Sequence, residues 1–300
     1  MKGSLTMNKS LSEIEQALEE GLELIQNHQL SQGVDKLTRL IRILPPESRF
    51  YELACAQLSV AYQQQGKLRK AIAALRRAVR ISPDNPHYRL NLAAMYRDLG
   101  DTQKALTEAK RAVRLDPTMV QARELLAELL LEQGILEAAL REATQLLRLS
   151  PNNIRALDIM GTVYVYQGRT HQALRIIERL IRLCPTNPIY HFRRAVLLQQ
   201  TGCIADAIRS YIQVIETEPD GELGEQAEEA IRNLDEHQIR QIMLLAATDP
   251  LFRAKLERDP IEASQERGYQ LSPEGLAALT QIRFDAIPPA LVEWHYRTYN

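Results

Sequence analysis

Glycine recurs at Gly66, Gly100, Gly134, Gly168 and Gly202, alanine at Ala71, Ala105, Ala139, Ala173 and Ala207, and proline at Pro83, Pro117, Pro151, Pro185 and Pro219. Every step in all three series is 34 residues. Five of the 13 glycines and five of the 14 prolines share this register, so chance is not a serious rival. A fixed period of this size means a repeat architecture with one helix–turn–helix unit per repeat. A single unit cannot bury its apolar stripe, and stacked neighbours make one continuous core. The pattern therefore points to a binding scaffold without saying what is bound.

Residues 52–85 show how one unit is built. Residues 53–64 read as a first helix and 69–81 as a second. Gly66 lies in the turn between them, where a left-handed backbone is cheap only for glycine. Small residues at Ser59, Ala93, Ala127, Gly161 and Ala195 let paired helices approach, and Ala71 and its four equivalents do the same on the second helix. Leu58, Tyr62, Leu68, Leu75 and Ile81 fill the remaining space. Proline closes the second helix, because the residue before it is pushed out of helical geometry.

These residues resemble the tetratricopeptide repeat (TPR) signature. Leu92-Ala93-x-x-Tyr96, Gly100, Ala105, Ala112 and Pro117 stand where the residues of that family's signature stand. The resemblance covers five units, 52–85, 86–119, 120–153, 154–187 and 188–221. Departures are apolar: Leu130 and Leu198 replace the usual Tyr, and Leu146, Leu180 and Val214 replace the usual Ala. The resemblance implies an all-α, right-handed superhelical solenoid of about six repeats, the first helices lining its concave face.

The sixth repeat is read at residues 14–47. If Pro45 is its closing proline, Gly33 takes the alanine site, Leu37, Leu40 and Ile43 continue the stripe, and Gly21 and Leu24 match the first helix. His28, beside Asn27, replaces the turn glycine. Four extra residues then fall near 48–51. After Gly221 the period fails, and 222–234 reads as an acidic amphipathic helix capping the solenoid, which is thus expected over 12–234.

Residues 235–300 read as a separate small helical module. Asp249-Pro250, Asp259-Pro260 and Ser272-Pro273-Glu274 look like helix starts, with a capping side chain followed by proline at the first helical position. Short helices are expected near 237–247, 250–258, 260–267 and 273–281, with Gly268 stopping the third. Asp249-Pro250, Phe252-Arg253, Leu256, Asp259-Pro260, Gly268 and Leu271-Ser272-Pro273-Glu274 resemble the helical segment shared by Nif11-like and nitrile-hydratase-like leader peptides and by small subunits of ring-opening dioxygenases. The resemblance implies a compact module of the kind that partner proteins recognise. No double-glycine cleavage site follows, so precursor processing is not carried over. Residues 287–300 hold the only tryptophan, Trp294, with Tyr296, either packing back on the chain or anchoring another protein.

The chain holds 37 Lys+Arg against 38 Asp+Glu, so net charge gives no case for nucleic acid or a membrane surface. No apolar run approaches the roughly 18–20 residues of a membrane span. Residues 1–10 are polar and lack the apolar core of an export signal. Cys55, Cys184 and Cys203 lie far apart without metal-type spacing, which fits a reducing cytoplasm. None of the six histidines stands in H-E-x-x-H or in a zinc-type Cys/His spacing, and no phosphate-binding or nucleophile-elbow motif occurs. The reading is a non-enzymatic chain with no catalytic, cofactor or metal residues and no small-molecule substrate. His87 and His191 start first helices and are expected to face the groove as polar contacts.

Two surface patterns remain. Arg80, Arg114, Arg148 and Arg182 occupy the same position near the end of successive second helices. They read as favourable charge at helix C-termini, or as a basic edge for an acidic partner or RNA, although no aromatic residues are interleaved to stack bases. By resemblance, positions 2, 5, 6, 9, 12 and 13 of each repeat face the groove. These supply Leu90, Asn91 and Asp98, then Glu124, Leu125, Glu128, Leu131 and Glu132. Asp158, Ile159, Val165 and Tyr166 follow, then Phe192 and Val196. Apolar groups beside carboxylates suit a helix or extended peptide. Glu124, Glu128 and Glu132 share one helix face, so a ligand bearing Lys or Arg is expected to be preferred over an acidic tail. The family's carboxylate clamp is matched by Asn91 alone. The expected function is a cytoplasmic adaptor, scaffold or assembly chaperone that holds a partner protein. The alternatives are a regulator whose C-terminal module occupies the groove until displaced, and an RNA-associated factor using the arginine column.

Overall fold

The computed structural model describes residues 11–286, which form sixteen α-helices and one 3-10 turn with no strand among them. The chain divides into two compact units, one up to Val163 and one from Tyr164 onward. The first unit holds α1 (Leu11–Gln26), α2 (Leu30–Ile43), α3 (Arg49–Gln64), α4 (Leu68–Ile81), α5 (Pro86–Asp98), α6 (Thr102–Leu115), α7 (Val120–Glu132), α8 (Leu136–Leu149) and most of α9 (Ile154–Tyr166). The second holds α10 (Thr170–Leu183), α11 (Pro188–Gln200), α12 (Ile204–Thr217), α13 (Glu222–Thr248), α14 (Pro250–Arg258), α15 (Pro260–Glu266), α16 (Pro273–Thr280) and the 3-10 turn Phe284–Ala286.

Each repeat hairpin is closed by one residue with positive φ: 72° at Gly66, 82° at Gly100, 70° at Gly134, 68° at Gly168 and 77° at Gly202. The following amide bonds back five residues, as in Asp101 N–H to Tyr96 O (2.9 Å), Ile135 N–H to Leu130 O (2.9 Å) and Cys203 N–H to Leu198 O (2.9 Å). That bond satisfies a carbonyl the helix end would orphan. An added Cβ at these glycines would meet nothing within 4 Å, so the requirement is conformational rather than one of space. His28 takes the same role in the first hairpin at φ 58°. There Gly21 and Gly33 are held by close approach: a Cβ would lie 2.7 Å from Leu37 Cδ2 and 2.8 Å from Ile25 Cγ1.

The small residues behave as the period requires. Ser59, Ala93, Ala127, Gly161 and Ala195 are all buried, and so are Ala71, Ala105, Ala139, Ala173 and Ala207. Of the four extra residues before the second repeat, three become helix and the first caps it. Ser48 caps α3, its Oγ accepting from Tyr51 N (3.1 Å), and α3 runs 16 residues against 13 in α5. The addition lies at the N-terminal end of α3, so the residues of the repeat that follow keep their face.

A contact repeated between repeats joins first helices to the prolines before them. Arg89 Nε donates to Pro83 O (3.1 Å) and Arg123 Nε to Pro117 O (2.9 Å). His191 Nε2 donates to Pro185 O (2.8 Å). The same guanidinium groups reach the second helix, Arg89 to Glu108 (2.9 Å) and Arg123 to Glu142 (2.6 Å). In sequence the two positions change together: Cys55 with Ala74, Arg89 with Glu108, Arg123 with Glu142, Leu157 with Ile176, His191 with Ser210.

In the second unit, the helices expected at 222–234 and near 237–247 are one helix, α13, of 27 residues. Leu234-Asp235-Glu236-His237 contains no breaker, so nothing ends the helix there. Helices α14, α15 and α16 begin at the expected prolines, capped by Asp249, Asp259 and Ser272, and Gly268 at φ 86° follows α15. Two buried polar residues of α13 hold this region. The Asp235 carboxylate accepts from Ser272 N (2.9 Å) and Ser272 Oγ, and that Oγ accepts from Gly275 N (3.0 Å). Gln238 pairs with the backbone of Gln270 in both directions, at 2.8 and 2.7 Å. Ile242, Phe252, Leu256, Ala263, Leu279 and Phe284 make the core beside them.

Two outcomes are expected. Gly134→Val forces a β-branched residue into a left-handed turn and should destabilise by more than about 1 kcal/mol; an unchanged urea midpoint contradicts this. Arg123→Ala strands the Glu142 carboxylate and the Pro117 carbonyl and should cost about 2 kcal/mol. Arg123→Leu with Glu142→Ile, the pair found at the same positions one repeat later, should recover most of that loss in the same assay. No recovery would mean that these positions do not act as a pair.

Candidate protein-binding face

In the first unit, the face carried by α5, α7 and α9 is crossed by a strap of charge. Arg97 on α5 donates to Glu128 on α7 at 2.7 Å, and Arg155 on α9 donates to the other oxygen of Glu128 at 2.6 Å. Glu124, one turn earlier, accepts from Asn153 Nδ2 at 2.6 Å and lies 4.0 Å from Arg155 Nε. The bond to Glu128 holds the Arg97 guanidinium above its ordinary range. Glu128 and Glu124 therefore serve to tie three successive first helices together. The sequence showed the glutamates but not their cations, because the partners lie 31 and 27 residues away and meet only through packing.

Exposure sorts the other expected residues of this unit. Asn91, Asp98 and Glu132 are exposed, and Leu90, Leu131 and Asp158 are half-buried. Leu125 and Ile159 are 8% and 4% exposed and belong to the hydrophobic core, which takes them off any ligand-facing surface. Arg80, Arg114 and Arg148 are exposed in the last turns of α4, α6 and α8. On α5, burial first and the neighbouring Glu52 second push the Tyr88 phenol up to about 12, so it stays protonated at neutral pH.

In the second unit, Val165 and Tyr166 at the end of α9 are 45% and 71% exposed. Phe192 and Val196 are half-buried, Phe192 meeting Tyr211 edge-on at 5.6 Å between ring centroids. Ile189, at the second position of its repeat, is 50% exposed and belongs to the same class of position; sequence reasoning passed over it. Arg182 is exposed at the end of α10. His191 is buried against the Pro185 carbonyl, so the groove-facing role expected for it is replaced by the helix-to-proline contact, while His87 is exposed. Trp294 and Tyr296 lie outside the described residues.

Burial pushes the Cys55 thiol up, whereas Cys203 is exposed. Among the described residues, no three His, Cys, Asp or Glu side chains gather so as to hold a metal ion, and no helix is long and apolar enough to cross a membrane.

Comparison with known proteins agrees with this geometry. The tetratricopeptide repeat family model matches residues 57–120, 96–154 and 160–222, more than half of the chain. The chain belongs to the tetratricopeptide repeat family. Its fold is the all-α TPR fold. Among solved structures, a tetratricopeptide repeat protein from Parabacteroides merdae is 19% identical, with a TM-score of 0.61, covering 89% of this chain and 97% of that one. YrrB, described as a TPR protein with an unusual peptide-binding site, is 16% identical, with a TM-score of 0.56 and coverage of 64% and 97%. MamA from Desulfovibrio magneticus is 19% identical, with a TM-score of 0.54 and coverage of 57% and 97%. At these identities the likeness is one of fold. No curated protein matches the chain.

Proposed function

We propose that this TPR protein is a non-enzymatic, cytoplasmic protein-interaction scaffold, an adaptor or assembly chaperone, that holds a helix or extended peptide of a partner on its first-helix faces. Family membership supports the class of function, and YrrB is an example of a family member with a peptide-binding site. The observation that carries the reading is Tyr166, 71% exposed beside the exposed Val165. A tyrosine and a valine left together in water are suited to anchoring a partner, since tyrosine is enriched among residues that dominate binding energy. In the first unit, the exposed Asp98 and Glu132 favour ligand groups of positive charge. Glu128 contributes less to that preference than its charge suggests, because two arginines already neutralise it.

The division into a repeat part, 12–234, and a C-terminal module, 235–300, belongs to the same proposal, as does the module's kinship with leader-peptide helices. Its support is the change from long paired helices to short ones capped at Asp249, Asp259 and Ser272. A second reading, binding of an acidic protein or RNA, draws on α4. Its Arg69, Lys70, Arg76, Arg77 and Arg80 are all exposed, and the helix carries no acidic residue.

The test is affinity capture with the full chain and with Val165→Ser plus Tyr166→Ala. Both positions are exposed, so melting should move by no more than about 0.5 kcal/mol in stability. Proteins retained by the parent should fall at least about tenfold on the variant, equivalent to roughly 1.4 kcal/mol, and should persist in high salt. Equal capture by both proteins contradicts the proposed face. Retention of RNA that collapses as salt rises favours the second reading.

A further inference from the structure

A cleft of about 640 Å³ opens between α12, α13 and α16, and none of its described lining residues lies on a first helix of a repeat. Ile212, Ile215, Ile231 and Ile239 form its floor, buried or half-buried, with Ala278 of α16 at the side. Glu216, Glu228, Glu236 and Glu274 stand exposed around it, with Arg232 the cation among its described lining residues and Arg240 3.9 Å from Glu236. The rim belongs to a longer acidic stretch. Residues 216–236 contain nine Asp or Glu and one Arg, in a chain whose overall charge is balanced.

The cleft is firmly built. Asp235, which lines it, spends its carboxylate on Ser272 and so fixes the start of α16 against α13. Gly275 sits against that carboxylate, where any Cβ would collide with it. The walls are therefore set before anything binds, which lowers the ordering cost of an occupant. An open floor of four isoleucines calls for an apolar cover, and a size of this order is typical of ligand-holding clefts. The rim decides the occupant's charge. An acidic segment would meet like charge from four carboxylates, while lysine or arginine flanking an apolar stripe would meet opposite charge.

We infer that this cleft docks a cationic amphipathic helix of a partner protein, its apolar stripe on the isoleucine floor and its Lys or Arg side chains on Glu216, Glu228, Glu236 and Glu274. The site is distinct from the first-helix faces, and its occupation does not depend on them.

The test uses the full chain and a fluorescein-labelled helical peptide of leucine and lysine patterned for one apolar face, read by anisotropy at physiological salt. The same pattern with glutamate in place of lysine is the control. The lysine peptide should bind and the glutamate peptide should not. Glu228→Lys with Glu236→Lys should weaken binding at least tenfold. Ala278→Trp, which obstructs the cleft from an exposed position, should do the same. Glu222→Lys with Glu225→Lys, on the same helix but outside the cleft, should change binding less than threefold. Equal loss from both lysine pairs would show diffuse charge attraction and overturn the proposal, as would full binding by Ala278→Trp. Two further outcomes also overturn it. A red shift of the emission of Trp294 on adding peptide would make residues 287–300 the natural cover. A dimer in light scattering that Glu228→Lys with Glu236→Lys abolishes would make the cover a second copy of the chain.

Discussion

The fold depends on a single backbone conformation repeated along the chain. At the end of each first helix one residue turns left-handed, and the next amide bonds back to a carbonyl five residues earlier. This stops the helix within two residues and sends the chain back along itself. The rest of the repeat follows from that tight return. Small buried residues stand on both helices of these hairpins, Ala93 and Ala127 on first helices and Ala105 and Ala139 on second helices, as so tight a return requires. His28 shows that the demand is for a conformation rather than for glycine itself, since a residue with a side chain meets it in the first hairpin.

Repeat positions were legible in the sequence because each has a local physical cause. Turn glycines, small contact residues, closing prolines and Asp-Pro helix starts can each be read within a few residues. What depended on distant partners was not legible. Glu128 reads as one of three carboxylates on a helix face, yet packing brings Arg97 and Arg155 to it and turns it into a strap. Asp235 reads as the first residue of a separate module, yet it is a buried anchor within a continuous helix, made so by Ser272, 37 residues on. Leu125 and Ile159 occupy positions that face outward in the family pattern, and here they are drawn into the core. The linked changes at Arg123 and Glu142, or Leu157 and Ile176, could be read from the sequence, but only by comparing the repeats with one another.

The polar contacts do different work in the two units. Between repeats, Arg89 and Arg123 each join a proline carbonyl, a first helix and a second helix through one guanidinium, whose rigid fork lets it serve several acceptors. The Arg97–Glu128–Arg155 strap does the same among first helices, which stiffens a face otherwise built of separate cylinders. In the second unit, Asp235 and Gln238 use buried hydrogen bonds to the backbone to position short helices that have little apolar area of their own. Both units present these contacts on helices rather than loops.

The turn is the element on which this account rests, and hydrogen exchange reads it directly. Asp101, Ile135 and Cys203 each place an amide in the bond that closes a hairpin. Measured by NMR on the native protein, these amides should exchange orders of magnitude more slowly than in an unstructured chain, and together with the amides of Ala105 and Ala139 on the helices that follow. Exchange of Asp101, Ile135 and Cys203 at the unstructured rate, while those helix amides stay protected, would contradict the claim that the left-handed turn holds each repeat closed.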